Sequence, residues 1–194
     1  KDNWTCRRCV KEPCMFVITD PRGKRVWMLV WTDDCDCVGD DDEILNELFK
    51  KVNAVWESKI VDPSYILGMK REITTLPNGD MEVELTMSSF IEAMGNSFKD
   101  HILSKTVSTP LLAGFFISSA TKSSEEENKR VLDRGYQRLF GMLLWAARGS
   151  CVNCLQGTSM LGRVMAAPTE EAWDAACHML TYMLQHKNAG IKYS

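Results

Sequence analysis

The sequence predicts an α+β fold: an antiparallel sheet carrying one helix, followed by an all-helical half. Three observations predict it. Short β-rich apolar runs separated by turn signals fill the first forty residues. From Asp40 the apolar period changes from strand-like to helical. Beyond residue 88 the long apolar patterns are all helical. At 194 residues and 45% hydrophobic content, the chain is large and apolar enough to bury a core.

The elements follow in order. Met15-Phe16-Val17-Ile18 and the run from Val26 to Trp31 read as strands, paired through the turn signal Asp20-Pro21-Arg22-Gly23. Cys35-Asp36-Cys37-Val38 reads as the next strand, which places Asp33 and Asp34 at the tip of a tight hairpin. Ile44, Leu45, Leu48, Phe49, Val52 and Trp56 mark one face of a helix, with Asp40 and Glu43 as a capping-box-like start. Tyr65-Ile66-Leu67-Gly68-Met69 is predicted as one short strand. Pro77-Asn78-Gly79-Asp80 is a hairpin turn, and Met81, Val83 and Leu85 alternate with Glu82 and Glu84 as in a strand with one wet face. Ser88 or Ser89 can cap a helix carrying Phe90, Ile91, Met94 and Phe98. A looser stretch spans residues 110–124. Val131, Leu132, Tyr136, Leu139, Phe140, Leu143 and Leu144 then predict one long helix from Glu125 to Gly149, its acidic first turn matching the helix dipole. Residues 155–165 form another helix. A last one opens at Pro168-Thr169-Glu170-Glu171, carries Trp173, Ala176, Cys177, Leu180 and Leu184, and ends near residues 188–190. Met160, Met165, Met179 and Met183 are placed as core filler.

Charge and composition exclude several functions. The net charge is −3, split as −5 over residues 1–87 and +2 over 88–194. Neither part has the strongly basic surface of a self-sufficient nucleic-acid binder. No run approaches the roughly 18 apolar residues of a membrane span, and no signal peptide is recognisable. The start at Lys1 and the strand-like end Ile191-Lys192-Tyr193-Ser194 read as a piece of a longer chain. The eight cysteines include Cys6-Arg7-Arg8-Cys9 and Cys151-Val152-Asn153-Cys154, but these pairs lie far beyond the spacing of zinc knuckles, so free thiols are expected. The histidines are His101, His178 and His186. His178 follows Cys177 directly, and neighbours on a helix point to different faces, which argues against a Cys–His nucleophile.

The acid pair carries the chemistry. Acids are common in turns, but two adjacent carboxylates on a rigid hairpin also suit a hard divalent cation. Two such cations about 3.5–4 Å apart are the usual machinery of nucleotide polymerases. A calcium loop starting at Asp34 puts Val38 and Leu45 at ligand positions and fails. Asp40 to Glu43 are better read as a helix cap and a solvated first turn.

The order of motifs resembles the C-terminal part of the reverse transcriptase of copia-type long-terminal-repeat retrotransposons. Glu12-Pro13-Cys14-Met15-Phe16 resembles that family's Asp-Pro-Cys-Leu-Phe, and Trp31-Thr32-Asp33-Asp34 stands where its Tyr-Val-Asp-Asp motif stands. Tyr65-Ile66-Leu67-Gly68-Met69 resembles Phe-Leu-Gly-Ile, and the stretch from Leu85 to Ile91 resembles its Leu-Ser-Gln…Tyr-Ile segment. Thr109-Pro110, residues 136–143 and Gly190-Ile191-Lys192-Tyr193 are similar to three later elements in the same order. Trp31 replaces the family's Tyr, residues 151–155 stand where its Thr-Arg-Pro-Asp does, and its first catalytic aspartate falls upstream of Lys1.

The resemblance implies a partial polymerase palm with a primer-grip-like hairpin over 1–87, an all-helical thumb and connection over 88–189, and the start of a ribonuclease H-like domain at 190–194. It implies RNA-directed DNA polymerisation within a polyprotein, with Asp33 and Asp34 as catalytic, metal-holding carboxylates. Two Mg²⁺ ions, replaceable by Mn²⁺, would be the cofactors. Trp31 and Thr32 would border the primer end and incoming nucleotide. Lys99, Lys105, Lys129 and Arg130 are candidate contacts to the nucleic-acid backbone. The implied partners are an RNA or DNA template with primer, dNTPs, and the upstream fingers and palm and downstream ribonuclease H domain of the same polyprotein. The implied location is intracellular: a cytoplasmic virus-like particle and the nucleus. Without the upstream carboxylate, the isolated chain is expected not to polymerise. The rival reading is a decayed or repurposed polymerase module that binds nucleic acid without catalysis.

Overall fold

The computed structural model describes residues 3–118 and 120–194. They form a mixed α+β structure with two four-stranded antiparallel sheets, divided into two compact units, Lys1–Pro63 and Ser64–Ser194. The hairpin around residues 69–86 thus groups with the helices that follow it.

In the first unit, β1 (Thr5–Arg8), β2 (Met15–Thr19), β3 (Arg25–Trp31) and β4 (Asp34–Gly39) pair in sequence order. The helix α1 (Asp42–Asn53) packs on β3 and β4. Val26 and Ile44 are fully buried, and Ile18 and Leu48 join them, with Met28, Cys37, Leu45 and Val52 packed around. Burial of each such aliphatic side chain contributes about 1.5–3 kcal/mol. The β2–β3 turn is held by Asp20, whose side chain is buried. Its carboxylate accepts from the Arg22 amide (2.8 Å), the Lys24 amide (2.9 Å) and Arg22 Nε (2.6 Å). Arg22 continues to Glu43 (3.2 Å) and Glu47 (3.1 Å), and Lys24 to Asp41 (2.6 Å), so the turn is tied to α1.

Two details differ from the sequence expectation. The cap of α1 is Asp41, which accepts from the Ile44 amide, while Asp40 accepts from the Arg25 amide (2.8 Å) and so belongs to the sheet edge. Trp56 lies beyond the helix, which ends at Asn53, and is 71% exposed. Val55, Ile60 and Val61 are exposed beside it in sequence. β1 was not anticipated, because Thr5-Cys6-Arg7-Arg8 has no alternating apolar pattern.

In the second unit, β5 (Tyr65–Ile66), β6 (Met69–Thr75), β7 (Met81–Thr86) and β8 (Ile191–Tyr193) form the second sheet. The stretch expected as a single strand at 65–69 is instead a hairpin. Leu67 (φ 50) and Gly68 (φ 78) are both left-handed, the backbone of a two-residue turn. Residues 191–193, expected to lead into a further domain, pair with β7, Ile191 opposite Leu85. Glu82 and Glu84 both lie by Lys192 on the charged face of this sheet.

The helical core is built from α2 (Ser88–Ser97), α3 (Glu125–Asp133), α4 (Tyr136–Gly149), α5 (Leu155–Gly162) and α6 (Glu170–Gln185). Ile91, Met94, Leu139, Leu143, Leu161, Met179 and Leu180 are fully buried within it. Neither Ser88 nor Ser89 caps α2, whose N-cap is the buried Met87. The long helix expected from residue 125 is two helices, because Gly135 adopts φ 92 and turns the chain between α3 and α4. Only glycine takes that conformation without cost. The α4 side is fixed by the Tyr136 hydroxyl, which donates to the Leu161 carbonyl (2.9 Å). Thr169 caps α6 by accepting from the Ala172 amide (3.1 Å). Of the four methionines assigned to the core, Met165 is 42% exposed, because α5 stops at Gly162 and leaves it in a surface turn.

Candidate functional site

β3 and β4 pair in the register Val26↔Gly39 through Trp31↔Asp34, leaving a two-residue connection of Thr32 and Asp33. The hairpin tip forms as the sequence suggested. Thr32, Asp33 and Asp34 are all exposed. Thr32 adopts φ 53, in the left-handed region. Tight hairpins ordinarily place Gly, Asn or Asp there, and a β-branched residue at positive φ is a genuine outlier.

The register also decides which way the acids face. Val26, Met28 and Cys37 are in the cluster under α1, so the side chains of their face point at the helix. Strand alternation sends Asp34, opposite Trp31, and Asp36, opposite Leu29, to the other face. That face carries Trp27, Leu29 and Trp31, and Trp31 is 55% exposed. Asp33 sits in the turn itself. The tip thus offers two neighbouring carboxylates at a solvent-open end of the sheet, beside an indole.

The thiols beside the tip are protonated. Burial, and then the charge of Asp34, push Cys35 above the ordinary thiol value. Burial pushes Cys37 up to about 11. In the other unit, burial raises Cys154 and Cys177 to about 12, so the buried Cys177 is no nucleophile at neutral pH. The C-x-x-C pairs lie in different units, and Cys151 and Cys154 are buried while Cys6 is exposed.

The candidate backbone contacts all lie in the second unit. Lys99 is in a single 3₁₀ turn after α2, Lys105 in the following loop, and Lys129 and Arg130 on α3. All four are exposed. Arg130 is tied to Glu170 (3.5 Å), which Arg134 also holds. His186 caps the C-terminus of α6, its Nδ1 2.9 Å from the Tyr182 carbonyl. Among the described residues, no three His, Cys, Asp or Glu side chains converge on a point that could hold a metal ion. No helix among them is long and apolar enough to cross a membrane.

Comparison with known proteins adds a relative. The chain is similar to the retrovirus-related Pol polyprotein from transposon TNT 1-94 of Nicotiana tabacum, 24% identical over 183 residues. The similarity covers 92% of this chain and 13% of that polyprotein. No protein-family model and no solved structure matches the chain.

Sequence reasoning located the acid pair but missed its backbone strain, since nothing in a Trp-Thr-Asp-Asp string reports φ. The signal was nonetheless present in part. Two strand patterns only two residues apart force a tight turn, and that turn contains no glycine or asparagine.

Proposed function

We propose that the chain is the part of a reverse transcriptase that bears its paired-aspartate tip. In this reading residues 1–87 complete a palm and its primer-grip-like hairpin, 88–189 form thumb and connection, and 190–194 lead toward a ribonuclease H-like domain. The observation that carries the reading is Thr32. A β-branched residue held at φ 53 costs on the order of 1–3 kcal/mol. Such strain is retained where it positions neighbouring groups, and the groups positioned here are Asp33 and Asp34. The similarity to a Pol polyprotein over 92% of the chain supports the same reading.

The donor set fits Mg²⁺ or Mn²⁺. Asp33 and Asp34 supply hard, exposed oxygen ligands, and the open tip leaves room for the waters and substrate phosphates that Mg²⁺ prefers to keep. A bound metal pair would lower the pKa of a primer 3′-hydroxyl and polarise the attacked phosphate. Asp33 and Asp34 hold that charge in place, the strained turn fixes their direction, and Trp31 offers an apolar flank for a sugar or base. Lys99, Lys105 and Lys129 would meet phosphates of a template–primer duplex, with Arg130 released from Glu170 to join them. A third carboxylate comes from another segment of the polyprotein in this reading, so the chain alone does not extend a primer. Its partners are then template and primer, dNTPs, and the flanking polymerase and ribonuclease H segments.

Manganese titration of the 194-residue chain, read by paramagnetic broadening of amide resonances, tests the metal anchor. The amides of residues 32–35 are expected to broaden first, and Asp33→Asn with Asp34→Asn to abolish the effect. Asp41 and Glu43 serve as internal controls, because Lys24 already pairs with both. Broadening that begins there instead, or survives the double substitution, would sink the proposal. In the intact polyprotein, the same two substitutions are expected to abolish primer extension while leaving the chain folded.

A further inference from the structure

The two C-x-x-C pairs differ in backbone, and the difference decides what each can do. Cys6 lies in β1 and Cys9 just beyond it, where the Cys9 amide still donates to the Met15 carbonyl (2.8 Å). Extended backbone rises about 3.3 Å per residue, so these two Cα atoms stand about 10 Å apart with their side chains leaving opposite faces. Cys151 and Cys154 instead bracket a 3₁₀ turn, Val152–Cys154, closed by the Cys154 amide donating to the Cys151 carbonyl (2.8 Å). In that geometry the rise is about 2.0 Å per residue and residues i and i+3 eclipse, which sets the Cα atoms about 6 Å apart with both side chains on one side. A disulfide spans Cα separations of about 4.4–6.8 Å. The second pair meets that requirement and the first does not.

The turn is also a junction. It joins α4 to α5, and Asn153 Nδ2 donates to the Tyr182 hydroxyl on α6 (2.6 Å). Both cysteines are free thiols, Cys151 7% exposed and Cys154 fully buried. Their polar contacts are long: Cys151 Sγ lies 3.8 Å from the Ser150 hydroxyl, and Cys154 Sγ 3.6 Å from Asn153 Oδ1. Thiols are weak hydrogen-bonding groups, so neither sulfur is held away from the other by a strong partner.

We propose that Cys151 and Cys154 are a reversible dithiol–disulfide pair that locks the corner between α4 and α5 when oxidised. The oxidant is a low-molecular-weight disulfide, RSSR. The Cys151 thiolate, the less buried of the two, attacks one sulfur of RSSR; that S–S bond breaks, a thiolate RS⁻ leaves, and a mixed disulfide forms on Cys151. The Cys154 thiolate then attacks the Cys151 sulfur and expels the second RS⁻. Two protein thiols are oxidised, RSSR is reduced to two RSH, and the two thiol protons end on the released thiolates. Burial raises both thiols, Cys154 to about 12, so closure is slow at neutral pH and quickens about tenfold per pH unit while the thiols remain protonated. The inference uses no residue of the acidic tip and stands apart from the polymerase reading.

The test incubates the whole 194-residue chain, folded, with oxidised glutathione, quenches with acid, alkylates the remaining thiols and maps the linkages by peptide mass. A disulfide between Cys151 and Cys154 is expected, with none between Cys6 and Cys9, and dithiothreitol reverses it. Its rate of formation rises about tenfold from pH 7 to pH 8. Hydrogen exchange of the Cys154 amide, whose acceptor is the Cys151 carbonyl, slows at least about tenfold in the oxidised chain. These readouts need no substitution, so none depends on a variant that folds. A chain that keeps both thiols free, that links Cys6 to Cys9 as readily as Cys151 to Cys154, or that closes the bond only in urea overturns the proposal. A disulfide that leaves exchange at Cys154 unchanged overturns it as well.

Discussion

Replacing Thr32 with glycine separates strain from mere turn formation. A non-glycine residue in the left-handed region costs about 1–2 kcal/mol, and β-branching favours the upper end. Glycine removes that cost but adds about 0.5–1 kcal/mol of conformational entropy lost on folding. The net expectation is stabilisation by about 1 kcal/mol. With a urea dependence of about 1–3 kcal/mol per molar, the midpoint rises by about 0.3–1 M. The change is best followed at the amides of Val26, Met28 and Cys37, which report the first sheet directly. Thr32→Val, which keeps the branch, leaves the midpoint where it was. The site moves the other way. A glycine turn must be ordered on binding, and about 0.5–1 kcal/mol of that cost becomes a two- to fivefold loss in Mn²⁺ affinity. A midpoint that falls in Thr32→Gly, or rises equally in Thr32→Val, refutes the claim that the tip stores strain.

Three further outcomes are expected. Burial pushes the Asp20 carboxyl up, but the Arg22 guanidinium and the Lys24 and Arg22 amides together hold it below its usual value of 3.8. Its contribution to stability is therefore present above that value and is lost as pH falls through the depressed folded-state pKa. Asp20→Asn should lower the urea midpoint of the first sheet at neutral pH and flatten its dependence between pH 4 and acid, relative to the parent. Thr169→Ala removes the side-chain cap of α6 and should cost about 1 kcal/mol, read as a lower midpoint for the helical unit. Leu143→Ala empties a fully buried position in α4 and should cost about 2–5 kcal/mol by the same assay.

Local pattern carried far in this chain where it was redundant. The hairpin of β3 and β4 follows from two apolar runs too close together for any connection but a tight turn. α6 follows from a cap, an acidic first turn and a continuous apolar stripe. Pattern failed where one backbone angle decided the outcome. The helical periodicity runs across Gly135 without interruption, since Leu132 and Tyr136, four residues apart, are half-buried and buried, yet φ 92 divides the segment into two helices. Leu67-Gly68 hid a turn inside an apolar run for the same reason, because leucine gives no warning of a left-handed conformation. β1 and β8 are short strands whose existence depends on β2 and β7 having free edges, which is a tertiary fact.

In the acid-rich segment from Asp33 to Glu43 the carboxylates fall into two kinds. Asp41 and Glu43 are spent on Lys24, Asp40 on the Arg25 amide, and Asp41 also on the first turn of α1. Each is a structural carboxylate whose charge is already met. Asp33 lies in, and Asp34 directly follows, a turn that serves the fold poorly, since it requires threonine in a conformation that glycine would adopt freely. A sequence selected for stability alone would relieve that turn and would have no reason to place two uncompensated charges on it. The neighbouring acids thus supply the contrast against which the tip is read: carboxylates with partners hold the sheet to its helix, and the two at the strained turn are left facing solvent beside Trp31, where a cation and its phosphate ligands could reach them.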